Sequence, residues 1–121
     1  MITIKPHFEN DEIINIIDIA ILLDSLVKIE NWIIAVEWCI GENSKLIEST
    51  ANEPIEMNDI EFREYYKGIE QTIDAQFIAG TNCGNITISV FDSSIWEIEA
   101  DSKKLEKDIK ANIATHFILE N

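Results

Sequence analysis

The chain's only thiols and imidazoles are Cys39, Cys83, His7 and His116. A cysteine–histidine hydrolytic site needs a thiol within hydrogen-bond reach of an imidazole that takes its proton. Separation along the chain does not forbid such a site, but nothing in the spacing favours it. His116 stands one residue before Phe117 and reads as a helix-end residue near the carbonyl end of the dipole. Zinc would have to draw on the same four residues, which include no close-spaced pair and no CxxC. Gly80-Thr81-Asn82-Cys83-Gly84 lacks the Lys-Ser/Thr with which a phosphate loop holds phosphate and magnesium, so it reads as a hairpin turn. The patterns GxSxG, GxGxxG and HExxH do not occur. No catalytic, cofactor-binding or metal-binding residue is therefore assigned, and the chain is expected not to be an enzyme.

Carboxylates are the abundant functional group. Glu53, Glu56, Asp59, Glu61 and Glu64 fall within twelve positions. Calcium would require an Asp-x-Asp-x-Asp-Gly run with a distal Glu, which is missing. A glycosidase needs two carboxylates at a set separation in space, on which the sequence is silent. The remaining reading is an acidic surface, and the neighbouring aromatics give it a use. Tyr65 and Tyr66 adjoin Glu61, Glu64 and Lys67, and Trp96 precedes Glu97 on a strand continuing to Glu99 and Asp101. Tyrosine and tryptophan are frequent interface anchors, and an acidic rim steers a basic partner towards them. The expected partner-binding residues are thus Glu53, Glu56, Asp59, Glu61, Glu64, Tyr65, Tyr66, Trp96, Glu97 and Glu99. Adjacent helical residues diverge by about 100°, so one of Tyr65 and Tyr66 is expected in the core. Trp32 and Trp38 are both expected in the core.

The whole chain supports the same direction. It has 23 acidic against 9 basic residues, a net charge of −14 over 121 residues. Residues 101–121 hold four acids and four lysines, so the entire surplus lies in the first hundred residues, where 19 acids face five cations. Such a field attracts cationic surfaces and repels nucleic acid and anionic lipid. The expected partner is a cationic protein, with no direct nucleic acid and no membrane, and the chain itself a monomer or weak dimer. A basic n-region before an apolar h-region is missing from MITIKPHFENDE, and the apolar stretch 13–29 is interrupted by Asn15, Asp18, Asp24, Ser25 and Lys28. A cytoplasmic location follows as the expectation, with Cys39 reduced in the core and Cys83 reduced at a loop tip.

The elements that must position these residues follow from local pattern. Ile2–Lys5 alternates up to Pro6 and reads as an edge strand. A helix is expected from Asn10 or Asp11, with Asp11, Asn15, Asp18 and Ser25 on its polar stripe and Ile13, Ile16, Ile17, Ala20, Leu23 and Val27 opposite. Asp24 falls on the apolar side, so either the helix breaks there or Asp24 is partly buried with hydrogen-bond partners. Trp32–Ile40 reads as a central strand ended by Gly41, and Glu42–Met57 as a loop or irregular strand. Asn58 is the expected cap of a short helix ending at Gly68. Ile73–Ala79 and Ile86–Phe91 form a hairpin, Asp92-Ser93-Ser94 turns into Ile95–Ala100, and Asp101 or Ser102 caps a last helix whose face is Leu105, Ile109, Ile113 and Phe117. This order predicts one α+β domain over residues 1–121, a mainly antiparallel sheet of about 4–5 strands with helices packed on one face.

In size, acidity and α+β organisation the chain resembles the small bacterial immunity proteins that neutralise a toxin made by the same cell, including those of contact-dependent growth inhibition systems. The resemblance spans the chain at the level of class, and no residue is carried over from it. It implies a cytoplasmic protein that binds the toxic domain, commonly a basic nuclease, and covers its active site. Two other functions fit the sequence less directly: an acidic nucleic-acid mimic acting on a restriction or CRISPR effector, and a small hydrolytic enzyme.

Overall fold

The computed structural model describes residues 1–120. In chain order the elements are β1 (Ile2–Ile4), α1 (Ile16–Leu23), β2 (Ile29–Gly41), α2 (Ser44–Glu48) with a following 3-10 turn at Ser49–Ala51, β3 (Ile55–Asn58), α3 (Asp59–Tyr66), β4 (Ile69–Thr81), β5 (Gly84–Phe91), β6 (Ile95–Ala100) and α4 (Lys103–Ile113). The strands form one antiparallel sheet in the order β1-β6-β5-β4-β2-β3. The class is α+β as expected, with six strands rather than four or five. The additional strand is β3, four residues after Pro54 that are too short to show a period of two on their own. They become a strand by pairing with Asn31–Ile34.

Alternation sorts the sheet into two faces. Ile2, Ile4, Trp32, Ile34, Val36, Phe77, Ile86, Ile88, Val90, Trp96 and Ile98 point inward and form one core with Ile16, Leu23, Phe62, Tyr66, Leu105, Ile109 and Ile113 of the helices. Aromatic rings run through this layer, Trp32 against Phe62 at 4.4 Å between centroids and Phe77 against Trp96 at 6.3 Å. Of the expected face of the last helix, Leu105, Ile109 and Ile113 are buried on α4, which ends at Ile113, and Phe117 is buried beyond its end. Among the described residues all four helices join this core, and the sheet's other face leaves Gln76 and Glu99 exposed.

Helix ends obey local chemistry. Asn58 Oδ1 accepts from Glu61 N at 2.8 Å at the start of α3, and Ser102 Oγ accepts from Leu105 N at 3.2 Å at the start of α4. Helix α1 starts later than expected, at Ile16. Asp11 adopts φ +67° and the Phe8 amide donates to the Glu12 carbonyl at 2.8 Å, so a turn replaces the first helical turns. Ile13 is consequently 47 % exposed instead of facing the core. Of the two readings of Asp24 the helix break holds: α1 ends at Leu23 and Asp24 is its exposed C-terminal cap.

Both sheet edges are partly covered. The Lys5 amide donates to the Ile118 carbonyl and the Glu120 amide to the Thr3 carbonyl, laying the C-terminal segment along β1. Beyond β3, the free edge of β2 is met by side chains, with Val36 N donating to Thr50 Oγ1 at 2.8 Å and Cys39 N to Glu48 Oε2 at 3.1 Å. Covering edge amides removes a template for unwanted strand pairing. At the end of β2, Gly41 sits at φ +143°, where an added Cβ would lie 2.3 Å from the Gly68 carbonyl oxygen, so only glycine fits.

Candidate protein-binding surface

The expected site divides between two regions of the molecule. On α3, two of the carboxylates serve the fold. Asp59 Oδ1 accepts from Trp32 Nε1 at 2.8 Å and from Arg63 Nε at 3.0 Å, and Arg63 reaches on to Asp24 through Nη1 at 2.8 Å and Nη2 at 2.7 Å. Arg63, the chain's single arginine, is therefore committed to a link between α3 and the end of α1. Hydrogen bonding to Asp24, with the contacts to Asp59 adding to it, holds its guanidinium above the usual arginine range. Glu61 Oε1 accepts from Asn58 N at 3.3 Å and closes the capping box. Glu64 pairs with Lys67 in an exposed contact that contributes little to stability.

Two expected anchors present no surface. Tyr66 is 2 % exposed, with its hydroxyl on Thr72 Oγ1, and burial pushes its phenol pKa upward. Trp96 is 1 % exposed in the core. Each lies on the inward side of its element, Tyr66 one helical turn beyond buried Phe62 on α3 and Trp96 by strand alternation on β6. The burial of Tyr66 meets the expectation that one tyrosine of the pair would turn inward, and Tyr65 is half-buried against the core. Glu53 and Glu56 are exposed, Glu99 is exposed, and Glu97 is half-buried.

Glu56, Glu97 and Glu99 share the open face of the sheet. Register places Glu56 beside Ile33, Ile33 beside Ile78, Ile78 beside Thr87 and Thr87 beside Glu99, one continuous row across five strands. The adjoining row runs Ala35, Gln76, Ser89, Glu97, Thr3. The six strands contain no lysine or arginine, whereas they carry Glu30, Glu37, Glu56, Glu70, Asp74, Glu97 and Glu99. Lys103, Lys104, Lys107 and Lys110 all lie on α4, in the helical layer on the opposite side. The strands thus carry half of the net charge of −14 with no cation of their own, and the helices and loops carry the other half.

The open face also holds Trp38, which the sequence assigned to the core, together with Ile40 and Phe91: Trp38 is 51 % exposed, Ile40 44 % and Phe91 75 %. The expectation of a buried Trp38 fails because β2 contains a register shift between Val36 and Trp38. Before it the even positions 32, 34 and 36 point inward; after it Cys39 does, and Trp38 turns out to solvent. Trp38 pairs with Asp74 of β4, and Phe91 pairs with Ile95 of β6. The signal available beforehand was the break at Glu37 in an otherwise apolar strand.

The remaining candidate chemistry is placed as follows. Cys39 is buried, and desolvation together with the nearby Glu48 carboxylate pushes its thiol up to about 11, so it is protonated at neutral pH. Cys83 is exposed at the β4–β5 turn, and both cysteines are free thiols. Among the described residues no group of three or more His, Cys, Asp or Glu converges on a possible metal position, and no helix is long and apolar enough to cross a membrane. Scans of family models, of curated proteins and of solved structures return no match to this chain.

Proposed function

We propose that this chain is an inhibitor that binds a cationic protein through the open face of its sheet, and specifically an immunity protein that neutralises a cognate toxin domain, with a basic nuclease as the leading candidate. The observation that carries this reading is the coincidence on one face of exposed Trp38, Ile40 and Phe91 with strands that hold acids and no bases. Exposed aromatic and aliphatic side chains supply the desolvated centre of an interface, and surrounding carboxylates supply long-range attraction and register. A nuclease cleft is positive because it holds phosphates, so an acidic face gains fast association and competes with substrate. Such a partner acts in the cytoplasm, where the inhibitor would be held.

The test has two stages. The partner is captured from host lysate with the tagged chain, together with inspection of the neighbouring gene, where an exported toxin is expected. Association is then followed by stopped flow across salt concentrations that shorten the Debye length from about 10 Å to about 3 Å. The rate should fall by at least about tenfold, with dissociation changing less. The variant carrying Glu56→Lys, Glu97→Lys and Glu99→Lys should stay folded and lose protection against the toxin. A control carrying Glu9→Lys, Glu12→Lys and Asp108→Lys changes net charge equally, away from the sheet, and should keep it. Equal loss in both variants, or an association rate flat with salt, refutes binding by this face.

A further inference from the structure

One row of the open face is built differently from the others. Trp38 on β2 stands directly opposite Asp74 on β4. One register step beyond the Ala75–Val90 pair, Phe91 on β5 lies on the other side of Asp74, and the Asp92 amide donates to Asp74 Oδ1 at 2.9 Å. That bond pins the carboxylate and leaves Oδ2 without a protein partner among the described residues. Neighbouring strands are about 4.8 Å apart, so the two aromatic side chains spring from positions roughly 10 Å from each other with a carboxylate between them. Cation–π attraction reaches to about 6 Å from a ring centroid, so a cation seated over Asp74 is within range of both rings. No lysine or arginine of the sheet competes for the position.

We infer that Trp38, Asp74 and Phe91 form a recognition slot for an arginine side chain of the partner protein. The inference rests on the proposed binding of a cationic protein and names the feature of that protein which the face reads. Arginine suits the slot better than lysine, because its guanidinium is planar, stacks on aromatic faces and donates more than one hydrogen bond to a carboxylate. A second copy of this chain is disfavoured as the occupant, since each copy would bring a net −14 and an all-acidic sheet face to the contact.

The slot is tested with small probes, independently of any toxin. Acetyl-Gly-Arg-Gly-amide and its lysine and citrulline analogues are titrated into the intact protein, and the Trp38 indole N–H is followed by NMR. The arginine peptide should give a saturable shift with a millimolar dissociation constant, and the lysine peptide should bind about threefold more weakly. Citrulline, which has the same shape without the charge, should give none. Asp74→Asn keeps an oxygen for the Asp92 amide, so it should fold normally and weaken arginine binding at least about threefold; Phe91→Ala, followed at the same Trp38 signal, should do the same. Failure of the arginine peptide to saturate, equal binding of lysine or citrulline, indifference to Asp74→Asn, or a dimer in sedimentation that buries Trp38 each overturns the slot. A silent arginine peptide alongside loss of toxin protection in the sheet-face triple variant would remove the slot and leave the inhibitor reading standing. Peptide binding without any cationic partner would do the reverse.

Discussion

Arg63→Met removes the only guanidinium while keeping much of the side chain's aliphatic body, so it isolates the electrostatic link from packing. The structure sets the scale. The Asp24 carboxylate is 45 % exposed, and its two short contacts to Arg63 are screened by solvent, which places their contribution at about 0.5–1 kcal/mol. Asp59 is 23 % exposed and retains the Trp32 indole as a donor after the substitution, so losing Arg63 Nε there costs about 1–2 kcal/mol, near the lower end for hydrogen bonds to charged groups. Together the loss should be about 2 kcal/mol, or roughly 8 °C in melting temperature for a chain of this size. Urea denaturation followed by far-UV circular dichroism measures it directly. A double-mutant cycle with Asp24→Asn should return a coupling of about 0.5–1 kcal/mol that shrinks at high salt. A loss below about 0.5 kcal/mol for Arg63→Met would show that the link does not hold α1 to α3, and would free Asp59 to be considered again as a partner-binding residue.

Two further predictions check placements that differ from, or sharpen, sequence expectation. Trp38→Ala should cost about 1–2 kcal/mol, since about half of its side chain is covered, and Trp96→Ala about 3–5 kcal/mol in the same urea assay, because only the second leaves a core cavity; equal costs would refute the assignment of faces. Iodoacetamide at pH 8 should add one adduct to the native protein, at exposed Cys83, and a second only after unfolding, since the Cys39 thiol is buried and raised to about 11; two rapid native adducts would refute it. The same upward shift fixes the sign of an alkaline effect. The folded state holds the Cys39 proton more tightly than the unfolded state, so stability should fall as pH rises from about 9, a fall that Cys39→Ala lessens; above about 10 the buried Tyr66 phenol, also pushed up, adds a loss that Cys39→Ala leaves. A fall between about pH 9 and 10 that Cys39→Ala leaves unchanged would refute this origin.

What the sequence determined by itself was local and periodic. Asn58 and Ser102 declared their helices because a side-chain oxygen beside free amides acts within a single turn. The Ile95–Ala100 strand, the Asp92-Ser93-Ser94 turn with Asp92 and Ser93 at positive φ, and the buried stripe of α4 followed from period and turn chemistry alone. The charge surplus was likewise countable. Tertiary structure decided the rest, through pairings between distant segments. Strand β3 exists because Asn31–Ile34 offers it a ladder, and the late start of α1 reflects the turn at Asp11 and the bridge between His7 and Ile13. Above all, the two-residue parity of β2 is reset by one register shift, which sends Cys39 inward and Trp38 out. A one-residue slip exchanges the faces of everything that follows it, and no count of apolar residues reveals where it falls. Asp59 and Trp96 show the same division from the other side. Their neighbours in sequence suggested a surface, but Asp59 is held by Trp32 and Arg63, and Trp96 packs beside Phe77, contacts that only the folded chain brings together.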